Sequence, residues 1–335
     1  MPRLPRLART ACFAFLLLLA ADLPADEKPA GKLIVTCLQI PDRPGGVGLA
    51  IVLQTPSGKT YLYDTGVGYP EGAGWAHNHN TGRDVIAPFL ARHHIREIDG
   101  VAISHAHYDH FGGLLWLVDH MPVHKLYDSG YTFRGESAPN YTIELNDYEN
   151  LRKRFADRPG EYEAVRQGDR LQWDDALEVE AISPAKDFFT EPHPERRPKN
   201  DPPAHYLVNA NSLGLRIRHG GIVFLLPGDI QSEDQLQSLL PAVPAEKLRC
   251  HVLFAPGHGI HSVPEFAMAT RPEVTVASIH ARWGRGSPAP RVFGQVGSKV
   301  LITGIDGGVQ FISDGKTYTT TLLPAEKPEP PVVKP

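Results

Sequence analysis

The sequence contains few cysteines, and none of them are closely paired. Its 335 residues include three, Cys12, Cys37 and Cys250, with no CxxC spacing among them. This excludes a zinc module built on neighbouring thiolates. We interpret Cys37 and Cys250 as two isolated buried thiols, and a disulfide between them is the alternative.

The sequence also lacks a strong excess of charge of either sign. The formal net charge is −4, which is not typical of a nucleic-acid binder, although a local basic groove stays open. We expect a small-molecule or oligonucleotide substrate and no stable nucleic-acid complex. The composition predicts no oligomeric state.

Long apolar runs are confined to the N-terminus. Arg3, Arg6 and Arg9 precede an apolar run at residues 11–21. This order is typical of a secretory signal peptide over residues 1–25, and the run is short for a membrane span, although an uncleaved anchor is the alternative. We therefore expect an exported protein, periplasmic or extracellular, without a membrane span after cleavage. Cleavage would remove three arginines and one aspartate, which changes the formal charge from −4 to −6.

The remaining chain, about 310 residues, is long enough for one large α/β domain. We place this domain at residues 26–322, followed by a disordered proline-rich tail at 323–335. Apolar and alternating runs predict strands, and segments of helical spacing predict interspersed helices. The strands are predicted near residues 33–38, 49–54, 60–63, 98–103, 168–171, 177–182, 212–218, 222–226, 252–255, 274–278, 300–303 and 309–313, and the helices near 83–94, 114–119, 146–155, 233–240 and after 264. The segment 184–203 is predicted to be an exposed loop.

The most informative segment is residues 104–113, Ser-His-Ala-His-Tyr-Asp-His-Phe-Gly-Gly. Side chains two apart on an extended segment point the same way, so His105 and His107 are expected to reach one ion. If a helix follows, Asp109 and His110 face a second ion. Imidazole and carboxylate suit zinc, manganese or iron. A surface histidine cluster would explain neither the spacing nor the two glycines.

Two later strand ends carry residues of the same chemistry. Asp229 follows the apolar run 222–226 and Gly228, and His258 follows the run 252–255 and a Pro-Gly turn. A carboxylate at a strand end can bridge two cations. Each signal alone is weak, because Gly-Asp and a loop histidine are common. Together with the histidine motif they predict a two-metal centre.

This arrangement resembles the metallo-β-lactamase superfamily over residues 33–320, on the HAHYDH run and on the turn at Asp64-Thr65-Gly66. The resemblance implies an α/β (α+β) fold, an αββα sandwich of two mixed sheets flanked by helices. It also implies two divalent ions, with zinc expected and manganese or iron as alternatives. The implied ligands are His105 and His107 for one ion, Asp109, His110 and His258 for the other, and Asp229 between them. Asp64 is implied as a partner that orients ligands by hydrogen bonds.

Within the superfamily the second half is most similar to the metallo-hydrolase domain of ComEC-type DNA-uptake proteins. The similar segments are 167–169, 209–213, 226–229 and 303–315. That domain is implicated in degrading the DNA strand that is not imported. Most superfamily hydrolases supply a further histidine to the first metal, where this chain has Asn211 nearby. We interpret Asn211, a water molecule or substrate as the group that fills this position.

The predicted function is an exported metal-dependent hydrolase with phosphodiesterase or nuclease-like activity. Asp109, Asp229 and His261 are the expected catalytic residues. His261 would protonate the leaving group, with His205 and His193 as alternatives. One alternative function is hydrolysis of an ester, thioester or lactone at the same site. A second is a non-catalytic metal-binding protein, because a fold does not determine a substrate.

Overall fold

A computed structural model describes residues 31–41, 48–70, 79–191 and 203–324. The predicted signal peptide, residues 325–335 of the predicted tail and His193 lie outside these ranges. The strands are β1 Leu33–Cys37, β2 Ala50–Gln54, β3 Thr60–Thr65, β4 Gly100–Ala102, β5 Leu126–Asp128, β6 Tyr162–Ala164, β7 Arg170–Leu171, β8 Leu177–Ser183, β9 Gly214–His219, β10 Ile222–Leu226, β11 Val252–Phe254, β12 Val274–Ala277, β13 Lys299–Ile302, β14 Gly308–Ser313 and β15 Tyr318–Leu323.

The helices between these strands are mostly short. They are α1 Ala87–Arg92, α2 Tyr108–His120, α3 Pro139–Ala156, α4 Pro203–Ala210, α5 Ser232–Asp234, α6 Leu240–Ala242, α7 Ala245–Leu248, α8 Pro264–Thr270, α9 Ala281–Gly284, α10 Pro288–Gly294 and α11 Thr303–Asp306. Two π-helical segments, Gly82–Ile86 and Gln235–Leu239, and a 3₁₀ turn, Pro256–Gly259, complete the list for the described residues.

The strands form two mixed sheets of similar layout. The first has the order β15-β14-β1-β2-β3-β4-β5-β6, and the second has the order β13-β12-β11-β10-β9-β8-β7. In the first sheet, pairing is antiparallel up to β3 and parallel from β3 to β6. In the second, it is antiparallel from β7 to β10 and parallel from β10 to β13. Functional side chains gather at the carboxyl ends of parallel strands, so each sheet offers one such edge.

The core consists of three apolar layers. The central cluster lies between the two sheets and includes the stacked rings of Tyr61 and Trp173, whose centroids are 4.4 Å apart. An outer cluster packs α1, α2 and α3 on the first sheet, and another packs α8 and α10 on the second. The predicted αββα sandwich of two mixed sheets flanked by helices is therefore confirmed.

Most predicted strands are present, and the differences lie at weakly patterned segments. The helix predicted at 146–155 begins earlier, at Pro139, and the one predicted from 114 begins at Tyr108. Residues 203–210 form α4, and residues 318–323 form β15, and neither element was indicated by the sequence. Cys37 and Cys250 are both buried and free, which confirms the interpretation as isolated thiols. None of the helices in the described ranges has the length and apolar character needed to cross a membrane.

Closely approaching glycines place α2 against the first sheet. A Cβ atom on Gly112 would lie 2.2 Å from the Gly68 main-chain nitrogen, and one on Gly113 would lie 2.1 Å from the Thr65 carbonyl oxygen. Side chains at these positions would require the backbone to move. The two glycines after the histidine motif therefore let α2 begin directly beside β3, which positions Asp109 and His110.

We expect Gly112→Ala to destabilise the protein by about 3 kcal/mol, the upper part of the range for overpacking, because the added carbon meets backbone. The measurement is the free energy of unfolding in urea. Gly294→Ala at the end of α10 is the matched control, since a Cβ there has no described atom within 4 Å. Equal stability of the two variants would contradict the close-approach argument.

Candidate metal centre

The first two histidines of the motif converge on one point. His105 Nε2 and His107 Nδ1 lie 2.9 Å apart, and both side chains are buried. The His107 N–H donates to the His105 carbonyl oxygen in a bend after β4. The pair therefore faces one position as predicted, but a bend brings the two rings together, and the predicted extended segment does not.

Asp109 and His110 stand in the first turn of α2 and face two residues from the second half of the chain. His110 Nε2 lies 3.7 Å from Asp109 Oδ2 and 3.5 Å from Asp229 Oδ2. His258 Nε2 lies 3.3 Å from Asp109 Oδ2 and 3.5 Å from Asp229 Oδ2. Ligand atoms of His105, His110 and Asp229 form a second group of similar spacing. Asp229 therefore lies between the two halves of the cluster.

Two strained turns present the residues from the second sheet. Gly228, before Asp229, has φ +66°, and a Cβ on it would lie 3.0 Å from Ser104 Cβ, so the ends of β10 and β4 approach closely there. His258 itself has φ +58°. Left-handed backbone at a non-glycine residue costs about 1–3 kcal/mol and is concentrated at functional sites. The local conformation is thus consistent with selection for the position of these two side chains.

Hydrogen bonds determine which nitrogen of each histidine carries the proton. His258 Nδ1 lies 2.9 Å from the Ser278 carbonyl oxygen, and His110 Nδ1 lies 2.8 Å from Asp64 Oδ2. A carbonyl oxygen and a carboxylate oxygen accept, so both Nδ1 atoms donate and both Nε2 atoms keep a lone pair. Neither Nε2 atom has a hydrogen-bond partner among the described residues, although both are buried. A buried acceptor without a partner is costly, and a divalent cation would satisfy both nitrogens.

The electrostatics of the cluster agree with cation binding. Burial lowers the pKa of His105 and of His107 well below the ordinary value, so both rings are neutral and able to ligate. Burial alone would raise the pKa of Asp229, but His258 and His110 outweigh it and hold that pKa well below its usual range. The donor set of neutral imidazoles and ionised carboxylates fits zinc, manganese or iron.

Asp64 connects the two strand ends of the first sheet to α2. One carboxylate oxygen accepts from the Ser104 N–H at 2.7 Å, and the other accepts from the Ser104 hydroxyl at 2.8 Å and from His110 Nδ1. Asp64 is fully buried and has φ +56°. Its contacts are those of a residue that orients a ligand, which is the role that the resemblance implied.

His205 lies beside the first half of the cluster, and the sequence analysis considered it only as a proton donor. Its ring stacks on the ring of His107 with centroids 4.5 Å apart, and its buried Nδ1 has no hydrogen-bond partner within the described ranges. The signal was hidden because α4, which carries His205, was not predicted. His205 is therefore placed to supply the additional histidine that appeared to be missing.

Asn211 does not point toward the cluster. Its amide oxygen accepts from the Phe189 N–H at 3.0 Å, and its amide nitrogen donates to the carbonyl oxygens of Phe189 and Leu207. The amide is thus used to hold the segment before α4 against the end of that helix. The interpretation of Asn211 as a group near the first metal gains no support from these contacts, because they satisfy its oxygen and both of its donors.

His261 lies three residues after His258, on the turn that carries it. The imidazole packs on Gly257, where a Cβ would be 2.0 Å from His261 Cδ2, and its carbonyl oxygen accepts from Gln235 Nε2. The side chain is half-buried. This places it beside the second half of the cluster.

Residues 43–194 match the family model described as metallo-beta-lactamase superfamily. This range contains Asp64 and the whole histidine motif. The chain carries a metallo-beta-lactamase superfamily domain. Members of this superfamily are mostly metal-dependent hydrolases.

Two curated proteins are similar in sequence. ComE operon protein 3 of Bacillus subtilis (strain 168) is 24% identical over 253 residues, which is 74% of this chain and 29% of that protein. The uncharacterized protein YcaI of Escherichia coli (strain K12) is 45% identical over 69 residues, 21% of this chain and 8% of that protein. The metallo-beta-lactamase superfamily chain thus matches less than a third of either relative's length. The predicted similarity to the ComEC type is confirmed at this level.

A solved structure has a related arrangement of elements. CmlA, a diiron beta-hydroxylase from Streptomyces venezuelae, is 13% identical and aligns with a TM-score of 0.47 over 89% of this chain and 55% of that one.

We expect His258→Ala to remove one of two bound ions and His205→Ala to weaken the other. Loss of a ligating nitrogen should reduce affinity by more than the roughly 10- to 100-fold that loss of an outer partner costs. Metal content after dialysis against zinc, measured by mass spectrometry, tests both. His124→Ala, at an exposed ion pair with Glu97, is the control. Unchanged metal content in His258→Ala would contradict the assignment of the centre.

Proposed function

We propose that this protein is an exported, metal-dependent phosphodiester hydrolase. The observation that supports this most directly is the position of Asp229, whose carboxylate is shared between the group that contains His105 and the group that contains His258. A carboxylate between two cation positions is suited to hold both at once. Paired cations are suited to the two negatively charged oxygens of a phosphodiester.

Two divalent ions, when bound, would supply a nucleophilic hydroxide near neutral pH and Lewis acidity toward phosphoryl oxygens. The chain contributes the arrangement. Asp109 faces the same space as Asp229, and although burial alone would raise the Asp109 pKa, His110 and His258 keep it well below its usual range. Asp109 is therefore ionised and able to accept a hydrogen bond from an attacking water.

Proton donation to the leaving group is assigned to His261 within this proposal. His261 is half-buried on the turn of His258, so it is close to the cluster but accessible. His205 is the less favoured donor because it stacks on His107. A proton donor must lie within hydrogen-bond reach of the leaving oxygen.

Two further observations support the proposal. The similarity to ComE operon protein 3 covers 74% of the chain and includes both halves of the centre. Residues 1–25 have the pattern of a secretory signal, which supports export. Hydrolysis of a carbonyl ester, thioester or lactone is the competing reaction, because cations also stabilise the oxyanion of that chemistry.

We expect the metal-loaded protein to hydrolyse bis(4-nitrophenyl) phosphate and single-stranded DNA with added manganese or zinc. Asp229→Asn should lower kcat by roughly 10²-fold or more, the size of loss when one preorganised electrostatic group is removed. Release of nitrophenolate and of shortened DNA are the measurements.

Asp119→Asn, which changes an exposed ion pair with Arg154, should retain full activity. A lactone and a thioester are assayed in parallel with the same sample. Turnover of either, without turnover of any phosphodiester at full metal loading, would overturn the phosphodiesterase proposal in favour of the competing reaction. Full metal content without turnover of any of these substrates would favour a binding protein.

A further inference from the structure

A recess opens beside His105, on the side of the first half of the metal centre. Three segments enclose it: residues 129–133 after β5, residues 145–152 of α3, and Val208 of α4. Its empty space is about 360 Å³, part of which is open to solvent. This is at the small end of pockets for small-molecule ligands, which are roughly 300–1,000 Å³.

The walls of the recess are largely apolar. Tyr131 and Phe133 contribute rings from one side, and Leu145 and Val208 contribute aliphatic groups from the helices. Tyr131 and Phe133 are half-buried, so their rings keep surface that a ligand can cover. Apolar walls with few directing polar groups are typical of a pocket for an apolar part of a ligand.

The charges at the base of the recess compensate each other. The buried Asp128 carboxylate accepts from Arg152 Nε at 2.7 Å and from the hydroxyls of Tyr148 and Tyr162 at 2.7 and 2.9 Å. Arg152 also donates to the Thr132 hydroxyl and the Tyr131 carbonyl oxygen. Among the described residues that line the recess, Arg152 is the only cation. Because it is paired with a carboxylate, the recess provides no net positive charge for a phosphate.

The recess and the metal centre share elements. Val208 lines the recess one helical turn after His205, whose ring contacts His107, and residues three apart lie on the same face of a helix. His105 belongs both to the metal group and to the wall of the recess. A group in the recess would therefore be attached to whatever atom lies at the first half of the centre.

We propose that this recess binds an uncharged apolar arm of the substrate, an aryl or short acyl group, so that the substrate is a small ester with one apolar arm and not a polynucleotide strand. This inference rests on the proposed hydrolase function, whose substrate class it narrows. Each successive unit of a polynucleotide carries a charged phosphate, and the recess has neither the size nor the charge to receive one.

The test compares binding of phenylphosphonate and methylphosphonate to the metal-loaded protein by calorimetry. The two ligands present the same anion to the centre and differ only in the apolar arm. We expect phenylphosphonate to bind at least about 10-fold more tightly, which is the low end of the discrimination that an apolar pocket provides for added carbon. Equal affinities would overturn the inference.

Leu145→Trp should fill the recess and bring the affinity ratio close to one. Ile143→Trp is the matched control, because it adds the same ring two residues earlier on α3 at a side chain that is 50% exposed. Leu145→Phe replaces Leu145→Trp if the larger variant unfolds on heating at a lower temperature. An unchanged ratio in the folded Leu145 variant would also overturn the inference.

The binding and activity measurements separate the two proposals. A phenyl preference that Leu145→Trp removes, without turnover of any phosphodiester, would retain the recess and reject the phosphodiesterase. Turnover of nitrophenyl phosphodiesters without a phenyl preference would retain the hydrolase and reject the recess. Absence of binding by both phosphonates would reject the recess as an arm-binding site.

Discussion

The buried carboxylate of Asp64 is the contact on which the arrangement of the centre depends. It joins the end of β3, the end of β4 and the first turn of α2 through Ser104 and His110. Burial raises the pKa of Asp64, and His110 and Ser104 oppose that effect. A carboxylate that is fully enclosed requires such donors. By keeping the His110 proton on Nδ1, Asp64 directs the Nε2 lone pair at Asp109 and Asp229.

The two sheets bring matching edges to this contact. In each sheet the pairing changes from antiparallel to parallel, and the cluster forms at the carboxyl ends of the parallel strands. Close glycine contacts allow the edges to meet, at Gly112 for α2 and at Gly228 for the end of β10. The Ser278 hydroxyl then donates to the Gly48 carbonyl oxygen at 2.7 Å across 230 residues of sequence. The site thus results from backbone approach as much as from its ligands.

The sequence was sufficient to predict the parts of the fold and site that depend on local pattern. The strands before Asp64, His105, Asp229 and His258 are apolar runs that end in distinctive turns, and all are present. The role of His205 could not be predicted, because α4 has eight residues and follows a proline-rich segment, so its helical pattern is short. It is stabilised by packing of Tyr206 and Leu207 on distant aromatic residues. β15 was missed because its threonines are exposed and it forms only by pairing with β14.

The pairing of β1 has a consequence for the order in which the protein is made. β1 lies between β2 and β14, and Leu33 is paired with Ser313 at the opposite end of the chain. During synthesis on the ribosome, β1 therefore has one unpaired edge until nearly the whole domain has emerged. Such an edge can pair with other chains, and contacts so distant in sequence form slowly. Asp229 and His258 also arrive late, so a nascent chain that stops before them carries the histidine motif but only part of a cation site.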